Sequence, residues 1–112
     1  MNNTIESVFE KLEKSGKKAF IPYITAGDPD IEKTSELLSV LAENGADIIE
    51  IGIPFSDPMA DGTVIQRAME RALANGITLR KVLHIVRDFK QRYSIPIVLV
   101  PEQVPTQFCS DY

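Results

Sequence analysis

Three carboxylates in one short span, Glu50, Asp57 and Asp61, have the clearest capacity for chemistry in this chain. Glu50 stands in the apolar, β-branched run Ala46-Asp-Ile-Ile-Glu-Ile-Gly-Ile53, bounded by Gly45 and Pro54, and the two aspartates follow in a Pro/Gly-rich loop. A carboxyl desolvated among isoleucines favours its neutral form. Such a group can both give and take protons near neutrality, which suits general acid–base work. The bland alternative is a buried carboxylate satisfied by backbone N–H groups or by a distant arginine. Fully buried glutamates are rare because desolvation is costly, so the functional reading is the stronger one. Asp57 and Asp61 taken singly read as turn formers or helix caps. They gain weight by following Glu50 on one loop.

The elements that must position these residues alternate between strand and helix. The run around Glu50 suits a buried parallel strand better than a helix. Alternation puts Ile49 and Ile51 on one side and Ile48, Glu50 and Gly52 on the other, with Gly52 leaving open space beside the carboxylate. Upstream, Lys18 to Thr25 reads as a first strand, with Pro22 placed where the ladder needs no donor. Tyr23 falls near its carboxyl end, on the side that would share a pocket with Glu50. A strand tyrosine serves packing or ligand contact, and the residues alone leave both open.

Helices fill the intervals. Ile5, Val8, Phe9 and Leu12 recur at helical spacing, with Asn3 or Thr4 as cap and Gly16 as stop, an amphipathic opening helix suited to covering a core or plugging the bottom of a barrel. Ala26 to Asp30 is a turn. It leads into a helix running to about Asn44, with Ile31, Leu37, Leu38 and Leu41 as buried stripe and Gly45 as its stop. Strand, helix and strand make one βαβ unit, whose crossover is right-handed in nearly all known cases. Gly62-Thr63 opens a further helix, Val64 to Asn75, and Thr78 caps another that runs to about Tyr93. Val82, Val86 and Phe89, with Leu79 and Leu83, form the buried stripe of the latter. His84, the lone histidine, falls with Arg80, Lys81, Arg87, Asp88 and Gln91 on its solvated face. Ile95 to Val100 is a third strand.

Composition narrows the function classes. With 112 residues, 44% hydrophobic and 25% charged, the chain is one ordinary globular domain. A formal net charge of −4, with Lys and Arg interleaved by acids, argues against a nucleic-acid surface. Partners are therefore expected to be small molecules or proteins. No metal-ligand spacing occurs. Cys109 is the only cysteine, so no intrachain disulfide is possible. The amino terminus lacks the regions of a signal peptide, and no apolar run approaches the roughly 18 residues of a membrane span. The expected location is the cytoplasm.

The string Glu50-Ile-Gly-Ile-Pro-Phe-Ser-Asp-Pro-Met-Ala-Asp-Gly62 closely resembles the signature of the tryptophan synthase α chain, and Pro22-Tyr-Ile-Thr-Ala-Gly-Asp-Pro29 is similar to that family's first-strand segment. The likeness runs from about Phe9 to about Val100. It implies an α/β fold of the (β/α)8 TIM barrel type, of which this chain holds only the first three β/α units, since a whole barrel takes about 250 residues. The implied domain is 1–100, with 101–112 a divergent tail. The implied reaction is aldol cleavage of indole-3-glycerol phosphate to indole and glyceraldehyde 3-phosphate, in the last stage of tryptophan biosynthesis. It requires neither metal nor organic cofactor in this chain.

By the same resemblance Glu50 shuttles protons, Asp61 interacts with the indole N–H and Tyr23 lines the substrate site. The loop containing Pro54, Phe55, Ser56 and Asp57 would lie against the pyridoxal-phosphate-dependent β chain, in a heterotetramer of two α and two β chains. By itself that loop shows only a proline-stiffened turn with an apolar edge. Alternatives stay open: a non-catalytic remnant docking on the β chain through residues 53–58, or another phosphate-binding barrel, against which Phe55-Ser-Asp-Pro58 argues. The pattern fails at Pro101 to Tyr112, which holds two prolines and no helix signal. A truncation or change of reading frame close to Val100 is the expectation there.

Overall fold

The computed structural model describes residues 4–54 and 62–100. In chain order these form α1 (Ile5–Ser15), β1 (Tyr23–Thr25), α2 (Ile31–Glu43), β2 (Ile49–Gly52), α3 (Thr63–Ala74), α4 (Leu79–Arg92) and β3 (Ile97–Val100). The three strands make one sheet in the order β1-β2-β3, with both pairings parallel.

Local chemistry sets the helix starts. The side chains of Thr4, Asp30 and Thr78 accept from the backbone N–H groups of Ser7, Lys33 and Lys81 at 3.0, 2.7 and 3.2 Å. Each satisfies a donor that the first helical turn leaves without an intrahelical acceptor. Of the two caps the sequence offers α1, Thr4 is the one used, and Ser7 Oγ accepts in return from Thr4 N–H at 3.0 Å.

The strands are shorter than the apolar runs that contain them. Lys18 to Ile21 was expected to belong to the first strand, which instead begins at Tyr23. There the Asp47 carboxylate accepts from Phe20 N–H at 2.7 Å while Asp47 N–H donates to Phe20 C=O at 2.9 Å, so a side chain stands where ladder pairing would continue. Pro22 lies just ahead of the strand. Its carbonyl accepts from Glu50 N–H at 2.9 Å, and its missing N–H costs the ladder nothing.

Helices α2, α3 and α4 cover one face of the sheet. Ile49 and Ile51 of β2 are fully buried there, in a cluster with Leu38, Ala72, Val82, Ile85, Val86 and Phe89. Each such isoleucine contributes about 1.5–3 kcal/mol. Ile24, Ile97 and Leu99 extend the same layer from the neighbouring strands. Phe89 stacks on Tyr93 at 5.1 Å between ring centroids, and Tyr93 Oη donates to Glu43 at 3.0 Å, tying the end of α4 to α2. Lys90 Nζ donates to Ile95 C=O at 3.0 Å, and partial burial pulls its ammonium below the usual lysine range.

The stripe of α2 differs from the expected one. Leu37 is 39% exposed, whereas Thr34 is fully buried beside Leu38. Consecutive helical positions differ by about 100°, so Ile31, Thr34, Leu38 and Leu41 share an arc from which Leu37 departs. Thr34 is buried because its hydroxyl is satisfied twice: Oγ1 accepts from Gly27 N–H at 2.8 Å and donates to Asp30 C=O at 2.9 Å.

Replacing Thr34 by Val keeps the shape and leaves the Gly27 N–H without its acceptor, which costs about 1–3 kcal/mol. Urea unfolding is expected to show that loss, to show most of it recovered in Thr34→Ser, and to show a smaller effect for Leu37→Ala. A Thr34→Val cost no greater than that of Leu37→Ala contradicts the assignment.

Candidate active site

Parallel pairing brings the carboxyl ends of all three strands to one edge of the sheet, and the register determines who meets there. Tyr23 of β1 and Val98 of β3 flank Glu50, while Thr25 and Val100 flank Gly52. These six residues share the face opposite the helix-covered core, because side chains alternate along each strand. Glu50 is half-buried on this face, between the fully buried Ile49 and Ile51 that point the other way. The expected alternation thus holds, and the expected burial is only partial. Among the described residues nothing donates to the Glu50 carboxylate, neither a backbone N–H nor an arginine.

Tyr23 changes the expected shape of the site. The space beside Gly52 is not open: a Cβ built on Gly52 would lie 1.9 Å from Tyr23 Oη and 2.7 Å from its ring carbon Cζ. The phenol therefore lies across the Gly52 backbone. Only glycine permits that approach. Thr25, 8% exposed, donates from Oγ1 to Tyr23 Oη at 3.3 Å.

The loop after β1 is fixed by three side chains. Besides the Thr34 bond, Arg71 of α3 forms a two-pronged pair with Asp28, Nε to Oδ1 at 2.7 Å and Nη2 to Oδ2 at 3.0 Å. Hydrogen bonding to Asp28 raises the Arg71 guanidinium further above its already high range. Asn75 Nδ2 donates to Gly27 C=O at 3.4 Å and also to Pro29 C=O. Gly27 itself has φ +90°, and a Cβ on it would meet Ile77 Cβ at 2.8 Å, so conformation and space both require glycine. The loop and α3 consequently hold each other in place at the edge of the site.

Of the residues singled out from sequence, the structure brings Glu50 and Tyr23 together. Pro54 is buried just beyond β2. Phe55, Ser56, Asp57 and Asp61 lie outside the described residues. His84 is exposed on α4, as its position on the polar face predicted. Sequence reading missed Thr25, although its place two residues after Tyr23 puts it on the same face. It also missed Arg71, which reaches Asp28 across 43 residues and leaves no local signal. Among the described residues no cluster of three or more His, Cys, Asp or Glu side chains is placed to hold a metal ion. Nor is any helix among them long and apolar enough to cross a membrane.

Comparison with known proteins agrees with the signature around Glu50. The family model described as tryptophan synthase alpha chain matches residues 9–105. The tryptophan synthase alpha chain of Burkholderia thailandensis is 59% identical over 97 residues, covering 86% of this chain and 36% of the relative. That of Dechloromonas aromatica is 56% identical over 104 residues, covering 92% and 39%. Among solved structures, tryptophan synthase subunit alpha from Legionella pneumophila superposes with a TM-score of 0.87 at 48% identity, over 97% of this chain and 42% of that one. A chain of the tryptophan synthase complex from Pyrococcus furiosus gives a TM-score of 0.73 at 48% identity, over 81% and 38%. The chain therefore spans 36–39% of the length of these curated relatives.

The close approach of Tyr23 to Gly52 predicts a coupled pair. Gly52→Ala is expected to lower stability by about 1–3 kcal/mol in the parent chain, the usual cost of overpacking, and by clearly less in a Tyr23→Ala background. A double-mutant cycle on urea midpoints reads the coupling. Equal costs in both backgrounds contradict the contact.

Proposed function

Since the chain belongs to the tryptophan synthase alpha chain family, we propose that its chemistry is the aldol cleavage of indole-3-glycerol phosphate to indole and glyceraldehyde 3-phosphate, and that Glu50 is the proton-transfer group. One observation carries this reading most: Glu50 is half-buried at the carboxyl edge of the sheet, beside Tyr23, with no partner among the described residues. A structural glutamate at such a position would be paired. A catalytic one must be free to give and take a proton.

The carbon–carbon bond breaks more readily once the indole ring is protonated at the carbon carrying the side chain. A base must also remove a proton from the glycerol hydroxyl. Glu50 performs both transfers, held in place by a strand hydrogen-bonded on either side and so needing little reorganisation during the reaction. To Asp61 we assign the interaction with the indole N–H, where a carboxylate would stabilise the positive charge of the protonated ring by fixed electrostatics. Tyr23 lines the site next to Glu50. No metal or organic cofactor takes part in this chain.

We assign residues 1–100 to the opening portion of a TIM barrel and read 101–112, from their sequence alone, as a divergent tail. Barrels of this kind commonly grip phosphate at loops after their seventh and eighth strands. The described residues hold three strands, so we expect this chain by itself to release little or no indole. The segment Pro54, Phe55, Ser56 and Asp57, whose first residue is buried, is the one we assign to contact with a pyridoxal-phosphate-containing β chain, which would take up the indole in a heterotetramer of two α and two β chains. The location we assign is the cytoplasm.

The test is indole release by a full-length α chain carrying this sequence. Glu50→Gln keeps the shape and hydrogen-bonding capacity of the side chain while removing its proton chemistry. The turnover rate is expected to fall by about 10²–10⁴-fold or more, with substrate affinity changed only a few-fold. Retained turnover contradicts the assignment of Glu50.

A further inference from the structure

Thr25 has a hydroxyl and almost no access to water. It is 8% exposed, and its side chain has one partner among the described residues, Tyr23 Oη at 3.3 Å. A buried hydroxyl without an acceptor carries a desolvation cost, so the Thr25 proton goes to the phenolic oxygen. Tyr23 is half-buried and can turn its own proton elsewhere. A phenolic oxygen that accepts one bond still donates another. No acceptor for that proton lies among the described residues. The phenol is meanwhile confined by Gly52, over which it lies, and by the register that sets Tyr23 beside Glu50.

We propose that Thr25 is a positioning residue of the Glu50 site: its hydroxyl, donating to Tyr23 Oη, anchors the phenol across Gly52 and leaves the Tyr23 O–H as a hydrogen-bond donor for an oxygen of the substrate held next to Glu50. This rests on the reaction proposed above for the site. Thr25 itself touches no reacting atom. It acts by holding the ring in one orientation and by occupying the lone pair that would otherwise compete for other donors. The glycerol hydroxyl groups of the substrate are oxygens of the required kind, and the indole ring offers none.

Two readouts separate this role from the reaction itself. The first uses the 112-residue chain with ring-labelled tyrosine, followed by NMR. Thr25→Val is expected to shift and broaden the Tyr23 ring signals, while those of Tyr93, stacked on Phe89 away from the site, stay in place as a control for folding. Thr25→Ser is expected to restore the Tyr23 signals. The second uses kinetics of indole release in a full-length α chain carrying this sequence. Thr25→Val and Tyr23→Phe are each expected to lower kcat/KM by about 5–30-fold, the effect of one hydrogen bond, and the double variant to be no worse than the poorer single by more than about twofold. Thr25→Ser is expected to retain most of the activity. Tyr23 signals unmoved in Thr25→Val, or a Thr25→Val penalty as large in the Tyr23→Phe background as in the parent, overturns the proposal. If the ring signals respond as expected while no full-length form releases indole, the anchoring of Tyr23 stands and it is the proposed reaction that fails.

Discussion

β2 exchanges backbone hydrogen bonds with a parallel strand on each side, so its side chains have only two directions available, into the helix-covered core or out of the opposite face. Ile49 and Ile51 take the first direction and are fully buried. Glu50 must then take the second. A one-residue slip in register would bury the carboxylate among leucine and phenylalanine and expose two isoleucines, a change large enough to unfold a domain of this size. The hydrophobic layer that stabilises the sheet therefore also fixes the position of its one interior acid. Parallel direction adds that Tyr23 and Thr25 arrive at the same edge as Glu50 and Gly52.

A second level of organisation operates at that edge. Strand ends are where regular pairing stops, and the loop after β1 replaces it with side-chain bonds from Thr34 of α2, Arg71 of α3 and Asn75, the residue that caps the end of α3. The Arg71–Asp28 pair is largely exposed on the arginine side, so its value lies in two-pronged geometry more than in energy. Thr34 is different. Its bonds are shielded from water and cannot be exchanged for solvent. The arrangement gives α3 a defined seat against the β1 loop, which in turn fixes the start of the face on which Tyr23 and Thr25 stand.

Much of this was legible in the sequence because it depends on short-range pattern. The helix caps at Thr4, Asp30 and Thr78, the stops at glycine, and the outward direction of Glu50 all follow from local rules. The signature around Glu50 gave the family directly. The rest needed the third dimension. Tyr23 filling the space over Gly52 is a contact between strands 29 residues apart, and nothing near Gly52 announces it. The exposure of Leu37 and burial of Thr34 turn on a rotation of α2 that hydrophobicity alone ranks wrongly, because a threonine with two bonds is cheaper to bury than its polarity suggests. The late start of β1 depends on the Asp47 carboxylate accepting a hydrogen bond from Phe20 N–H, where ladder pairing would otherwise continue.

The most direct test of the account is where indole settles on this chain. Indole, the product of the proposed reaction, carries no phosphate and so does not depend on segments beyond these three strands. Titrated into the isotope-labelled chain and followed by chemical-shift mapping, it is predicted to move the resonances of Tyr23, Thr25, Glu50 and Gly52 together, leaving Leu38, Val82 and Phe89 on the helix side unchanged. Perturbations confined to the helix side, or scattered over α4 with the Glu50 face silent, would contradict the claim that the open face of β2 is the site of chemistry.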